Sequence, residues 1–176
     1  MKAIILAGGL GTRLGYLTKD TQKCMISVAG KPILKHIVDN LVLAGITQII
    51  IKLHYKPEQV INYFGNSVLY YYEPVLLTHG QSLVQLSGWF DEDFMVVNGD
   101  TLSSDDYKRM IEFHKKGTIT VAMEEYRAIG TWIYDKDFTD DTPLIPYRQK
   151  GVLWFDCGTE EKLKMAKSYY ERYDKN

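Results

Sequence analysis

From Lys2 to Leu34 the chain reads KAIILAGGLGTRLGYLTKDTQKCMISVAGKPIL: an apolar strand, a glycine-rich loop, an arginine, a lysine and a Gly-Lys-Pro turn. Ile4, Ile5 and Leu6 carry no polar alternation, which suits a strand covered on both faces, as in a parallel sheet. Ala7, Gly8, Gly9 and Gly11 follow at once. Their small side chains let backbone N–H groups approach a phosphate chain closely. Arg13 adds a guanidinium that can fork onto two phosphate oxygens, and Lys23 adds a point charge further along. Two cations and open backbone after a first strand predict a polyphosphate site.

Two common phosphate loops fit these glycines badly. Gly9, Gly11 and Gly15 are spaced one residue too wide for a dinucleotide fingerprint, and Leu17 to Val28 lacks the amphipathic helix that must follow. Gly30-Lys31 leads into Pro32, where a P-loop needs Ser or Thr.

Beyond this segment, strand and helix patterns alternate, which predicts an open, mostly parallel α/β sheet flanked by helices. Pro32 to Ala44 places Ile33, Ile37, Leu41 and Ala44 on one stripe, with Gly45 as the stop. Strands are expected at Gln48–Leu53, Val68–Tyr72, Phe94–Asn98, Ile119–Met123 and Gly130–Tyr134. Short helices are expected from Pro57 to Phe64 and from Ser82 to Trp89. Ser104 reads as an N-cap, with Asp105 and Asp106 in the first turn of a helix through Lys116. Asp137 to Tyr147 is polar and contains proline, so it reads as a loop. Thr159 should cap a closing helix that packs through Leu163, Ala166, Tyr169 or Tyr170, and Tyr173.

A chain of 176 residues supports one domain, spanning 1–176, with a core of useful size. Its net charge of −1 provides no broad attraction for nucleic acid. No apolar run approaches a membrane span, and Met1-Lys2 enters a strand directly, so a soluble cytoplasmic protein is expected. Cys24 and Cys157 are too few for a disulfide framework and read as reduced packing residues. The histidines show no metal-ligand spacing, and His36 and His114 read as partly exposed helix residues. The apolar and aromatic face of the last helix could pack internally or against a second copy in a homo-oligomer.

The strand Phe94–Asn98 ends at Gly99-Asp100. Ligands of open parallel sheets sit beyond the carboxyl ends of strands, where Asp100 would lie. Asn-Gly-Asp is also an ordinary turn sequence. The phosphate loop expected at the same edge favours a site.

Taken together, the first segment resembles the signature of the sugar-1-phosphate nucleotidyltransferases, L-A-G-G-x-G-T-R-L-x-P-L-T, then P-K-x-M, then G-K-P-L/I. The matching residues are Leu6, Ala7, Gly8, Gly9, Gly11, Thr12, Arg13 and Leu14, then Lys23 and Met25, then Gly30-Lys31-Pro32-Ile33. Tyr16 and Gln22 stand where the family has prolines, which implies a less stiff loop. Glu73 to Leu83 resembles the stretch that frames the nucleotide base, with Glu73, Gly80 and Ser82 among its positions and with Thr78 and Gln81 where glycines are usual. Trp154-Phe155-Asp156-Cys157-Gly158-Thr159 resembles the family's late W-x-D-x-G-T.

The resemblance implies a Rossmann-like sheet of the GT-A type and a magnesium-dependent transfer of a nucleotidyl group from a nucleoside triphosphate to a sugar 1-phosphate. It implies Arg13, Lys23 and Asp100 as catalytic residues and Asp100 with Asp156 as magnesium ligands. The branch it most resembles comprises the heptose and mannose guanylyltransferases. A Glu-Lys-Pro motif, whose glutamate contacts the sugar in the family, is missing: Met123-Glu124-Glu125-Tyr126-Arg127 runs almost directly into Gly130-Thr131-Trp132. Two alternatives therefore stand beside the sugar phosphate: a small phospho-alcohol acceptor such as phosphocholine with CTP as donor, and a nucleotide-binding protein without catalysis.

Overall fold

The computed structural model describes residues 1–173 and turns the expected alternation into one seven-stranded sheet with two small ribbons. β1 (Lys2–Leu6) leads into the glycine loop and a 3-10 segment, Thr12–Thr18, kinked at Gly15. A 3-10 turn at Lys23–Met25 and the ribbon β2 (Ser27–Val28) and β3 (Lys31–Pro32) deliver the chain to α1 (Ile33–Leu43). Then come β4 (Ile49–Leu53), α2 (Pro57–Phe64), β5 (Leu69–Tyr72), α3 (His79–Leu86) and β6 (Phe94–Asn98). β7 (Thr101–Ser103), α4 (Tyr107–Phe113), β8 (Ile119–Glu124), β9 (Arg127–Tyr134), β10 (Leu144–Tyr147), β11 (Trp154–Asp156) and α5 (Glu160–Tyr173) complete the chain.

The large sheet has the order β10-β8-β9-β6-β1-β4-β5, and β9 alone runs against its neighbours. β1, β4 and β6 lie at its centre, which is why they read as unbroken apolar runs. Successive residues feed opposite cores. Ile5 and Val97 face α1, α2, α4 and α5, whereas Ile4 and Val96 face Leu83 and Leu86 of α3. Each such fully buried aliphatic side chain contributes about 1.5–3 kcal/mol over the exposed state. On the second face α3 stands beside an open groove of about 860 Å3, lined by Trp132, Tyr134, Phe138 and Leu144 among others.

Four expectations need correction. α4 starts at Tyr107, because the Asp106 carboxylate accepts the Arg109 N–H at 3.2 Å and so forms the cap. Ser104 is engaged elsewhere, its N–H donating to the Leu153 carbonyl and its hydroxyl accepting the Leu153 N–H, both at 2.9 Å. The helix ends at Phe113 because His114 adopts extended backbone and bonds the Thr120 hydroxyl at 2.8 Å. Leu144–Tyr147, expected as loop, is an edge strand parallel to β8, where Pro146 is tolerated. His36 is buried, its Nε2 donating to the Val28 carbonyl at 2.8 Å and tying β2 to α1.

The fourth correction concerns α3, which begins at His79 rather than Ser82. Thr78 Oγ1 accepts the Gln81 N–H at 3.4 Å, and Gln81 Oε1 accepts the Thr78 N–H at 3.0 Å. This is a reciprocal capping box. The two residues that replace family glycines thus start a helix. Thr159 caps α5 as expected, accepting the Lys162 N–H at 3.4 Å, and Leu163 and Ala166 are buried beneath it. The Tyr173 side chain lies outside the described residues.

Candidate active site

The carboxyl ends of β1, β4 and β6 share one edge of the sheet, and the glycine loop is folded down onto it. The Ala7 N–H donates to the Lys52 carbonyl at 2.9 Å, and the Gly99 N–H donates to the Leu6 carbonyl at 2.9 Å. A Cβ on Gly99 would stand 3.0 Å from both the Ala7 Cβ and the Leu6 carbonyl, so glycine allows the two strand ends to touch. Gly11 has a left-handed φ of 68°, and a Cβ there would meet Thr18 Cγ2 at 2.7 Å. The Thr18 hydroxyl donates to the Gly11 carbonyl at 2.9 Å and closes the loop. Ala7 and Gly8 are buried, while Gly9, Thr12 and Arg13 are exposed above them.

Gln22, the residue in place of a family proline, is fully buried. Its amide donates to the Ala7 carbonyl at 2.6 Å, its carbonyl oxygen accepts the Cys24 N–H at 2.6 Å, and its own N–H donates to Gln59 at 2.7 Å. A proline could supply none of these donors. The loop is therefore held by hydrogen bonds where the resemblance led us to expect a looser one.

Lys23, directly after Gln22, forms an ion pair with Asp100. Asp156 comes from the far end of the chain and reaches the same place through the β7–β11 ribbon, where it pairs with Thr101. The Cys157 N–H donates to the Asp100 carbonyl at 2.9 Å, locking the two segments together. Asp100 and Asp156 line a cavity of about 210 Å3 with Arg13, Asn98, Arg127 and Trp154. At Gly158 an added Cβ would lie 2.5 Å from Arg13 Nη2 and 2.7 Å from Asp156 Oδ1. Glycine there leaves room for the guanidinium and the carboxylate to lie side by side.

The donor set suits a hard cation. Asp156 Oδ1 accepts the Gly158 N–H at 3.0 Å, and both carboxylates face one polar cavity. Among the described residues no cluster of three or more His, Cys, Asp or Glu could hold an ion unaided. Two carboxylate oxygens completed by phosphate and water are what Mg2+ ordinarily accepts. Burial pushes the Cys24 and Cys157 thiols up to about 12 each, with Asp100 adding to the effect, so both remain neutral packing groups.

The stretch from Glu73 to Leu83 is built differently. Glu73 and Ser82 are buried, and Lys52 Nζ donates to both Glu73 oxygens at 3.0 and 2.8 Å and to Ser82 Oγ at 2.7 Å. The Leu77 N–H donates to Glu73 at 3.1 Å. Gly80 is exposed in the first turn of α3. Glu73 and Ser82 therefore lie beneath this stretch and Gly80 on its surface. His79 bonds the Tyr134 hydroxyl at 3.2 Å, and burial with the nearby Lys52 charge holds its pKa below the usual histidine value. Lys52 was missed in the sequence, although a lone lysine in Ile-Ile-Ile-Lys-Leu must find a buried partner if that strand is central.

A glycine loop, two cations and two carboxylates gather at the carboxyl edge of a mostly parallel sheet in an α/β protein. Residues 2–128 match the family described as nucleotidyl transferase, and the chain belongs to that family. It is 35% identical over 162 residues to D-glycero-α-D-manno-heptose 1-phosphate guanylyltransferase of Aneurinibacillus thermoaerophilus, covering 86% of this chain and 68% of that protein. It is 34% identical over 151 residues to the mannose-1-phosphate guanylyltransferase catalytic subunit beta of Drosophila pseudoobscura pseudoobscura, covering 77% of this chain but only 41% of that one. HddC from Yersinia pseudotuberculosis shares the fold, with a TM-score of 0.80 at 24% identity over 96% of this chain and 99% of that one. These relatives set the chain among the sugar-1-phosphate nucleotidyltransferases, enzymes of the Rossmann-like α/β class.

Proposed function

We propose that this chain joins a nucleoside triphosphate to a sugar 1-phosphate, yielding an NDP-sugar and pyrophosphate. The observation that carries the reading is the convergence of Arg13, Asp100 and Asp156 on one cavity at the edge where the glycine loop ends, with Lys23 ion-paired to Asp100. An oxygen of the sugar phosphate attacks the α-phosphorus, a new P–O bond forms, and the bond to the pyrophosphate oxygen breaks. The nucleophile is already an anion near neutral pH, so no general base is needed. Catalysis then reduces to in-line positioning and neutralisation of charge.

In this reading the backbone of Leu6, Ala7, Gly8, Gly9, Gly11 and Thr12 receives the triphosphate. Arg13 stabilises charge on the departing pyrophosphate. Lys23 leaves Asp100 to contact the α-phosphate and the incoming phosphate. Asp100 and Asp156 hold Mg2+, which supplies Lewis-acid polarisation of the phosphate oxygens when bound. Gly80 borders the base, while Glu73 and Ser82 act from below by fixing the loop that frames it. Guanine is the favoured base because both guanylyltransferase relatives carry that activity in their names and HddC has been solved with GMP-PN. We place the reaction in the cytoplasm, beside its nucleotide pool; among the described residues no helix is long and apolar enough to cross a membrane.

Pyrophosphate release tests the proposal, using each common nucleoside triphosphate with Mg2+ against a panel of sugar 1-phosphates. GTP with mannose 1-phosphate or a heptose 1-phosphate is expected to give the fastest release. Silence across the panel, with triphosphate binding intact by calorimetry, would refute the transferase reading.

A further inference from the structure

The acceptor side lacks the Glu-Lys-Pro segment, and β8 turns straight into β9 through Glu125 and Tyr126. The turn is nevertheless fixed. Glu124 lies opposite Arg127 in the strand register, Glu125 takes a left-handed φ of 50°, and Arg148 donates to the Glu125 carbonyl at 3.2 and 3.0 Å. The Trp154 indole N–H donates to the Glu124 carboxylate, which ties the hairpin to β11.

This arrangement aims one charged group at the catalytic cavity. The Arg127 guanidinium carbon sits 5.1 Å from the Trp154 ring centre, and Arg127 lines the cavity with Arg13, Asp100 and Asp156. Among the described residues Arg127 has no ion-pair partner. Its charge is steadied by the face of an aromatic ring, so the N–H fork is left for a ligand. The phosphate loop enters the cavity from β1, whereas the hairpin enters it from β8 and β9. An in-line displacement needs the incoming and departing groups on opposite sides of phosphorus, and the two arginines come from two separate segments.

We infer that Arg127, held over Trp154 at the mouth of the cavity, binds the phosphate of the acceptor, and that the acceptor is a phosphate monoester of a neutral, hydroxyl-bearing body. The naming of this phosphate as the acceptor's rests on the transferase reading above. A quaternary ammonium body would require an aromatic face of its own. Here Arg127 and Lys162 both lie over Trp154, the latter 5.4 Å from the ring centre, and they would repel such a cation. Glu124, fixed by the indole, lines the adjoining cavity with Trp154 and Asp156 and offers lone pairs to hydroxyl groups of the acceptor body.

Calorimetry with the full chain, Mg2+ and a non-hydrolysable GTP analogue separates the possibilities, with mannose 1-phosphate and phosphocholine as probes. Arg127→Ala is expected to weaken mannose 1-phosphate binding about tenfold or more, and Arg127→Lys to recover part of the loss. Affinity for the GTP analogue should change less than about twofold, since Arg127 is assigned to the other phosphate. The inference is overturned if Arg127→Ala binds mannose 1-phosphate as tightly as the parent, or loses the GTP analogue in the same proportion. It is equally overturned if the parent binds neither probe or prefers phosphocholine. Binding that follows Arg127 without pyrophosphate release in any combination would sink the transferase reading and leave the phosphate site standing.

Discussion

Two corners of the molecule each bury a carboxylate, and they treat it in opposite ways. Under the loop after β5, Glu73 is 1% exposed and meets Lys52, Ser82 and the Leu77 N–H. At the corner between β7 and α4, Asp105 is 7% exposed and its Oδ2 has no hydrogen-bond partner among the described residues. The first corner underlies the chain between β5 and α3, and the second adjoins Asn40 and Leu43 of α1. A third pair, Lys23–Asp100, has side chains 7% and 29% exposed, and its Asp100 lines the cavity. Matched charge without solvent makes a scaffold. Matched charge at a cavity wall can exchange its partner for a ligand. Unmatched charge only costs stability.

The largest effect is expected from breaking the scaffold. Lys52→Ala would strand Glu73 in the core, and removal of one partner from a buried pair costs about 3–5 kcal/mol. Urea unfolding should report that loss. Replacing both residues with methionine should recover much of it, because the desolvation penalty of both charges disappears together. A single variant losing less than about 1 kcal/mol would mean that Glu73 finds water or another partner, and the scaffold description would fall.

Next in size is the pair at the cavity. Lys23→Ala or Arg13→Ala is expected to lower turnover by about a hundredfold or more, as removal of a phosphate-stabilising cation does elsewhere. Steady-state pyrophosphate release measures it. The stability change should be smaller than for Lys52→Ala, because Asp100 remains partly open to water. A fully active Lys23→Ala chain would end its assignment as a phosphate ligand and leave it a structural cation like Lys52.

The same distinction explains how much could be read in advance. The alternating pattern and the apolar runs at β1, β4 and β6 made the parallel sheet legible, since a strand buried on both faces has little other vocabulary. The meeting of the glycine loop with Asp100 and Asp156 at one edge was legible because it depends on local order around Gly99, Asp100 and Asp156. Less visible were roles fixed by distant partners. Gln22 read as a lost proline until its three bonds were known, and Lys52 read as an odd charge in a strand. Thr78 and Gln81 did carry a local signal, because Thr-x-x-Gln is a capping-box spacing, but the missing glycines drew attention away from it. Arg127 had no signal at all, since its place depends on a ribbon formed with residues from the far end of the chain.

The smallest expected effect lies at Asp105. Burial pushes its carboxyl above the usual aspartate value, and the Ser103 hydroxyl offsets only part of that. A carboxyl raised in the folded state binds its proton more tightly there than in the unfolded chain. The ionised form therefore penalises the fold, in full above the folded pKa, and the penalty fades as pH falls through it. Asp105→Asn should stabilise the protein by about 1 kcal/mol near neutral pH, the order of one buried unsatisfied charge relieved. Its advantage over the parent should narrow as the solution is acidified towards the ordinary aspartate range. Glu73→Gln is the counterpart that sharpens the contrast, because it removes the charge Lys52 was built to meet and should destabilise. Unfolding midpoints of both variants across this pH range check the pair. If Asp105→Asn destabilised at neutral pH, its carboxylate would have a partner that the described residues do not contain, and the two corners would no longer differ in kind.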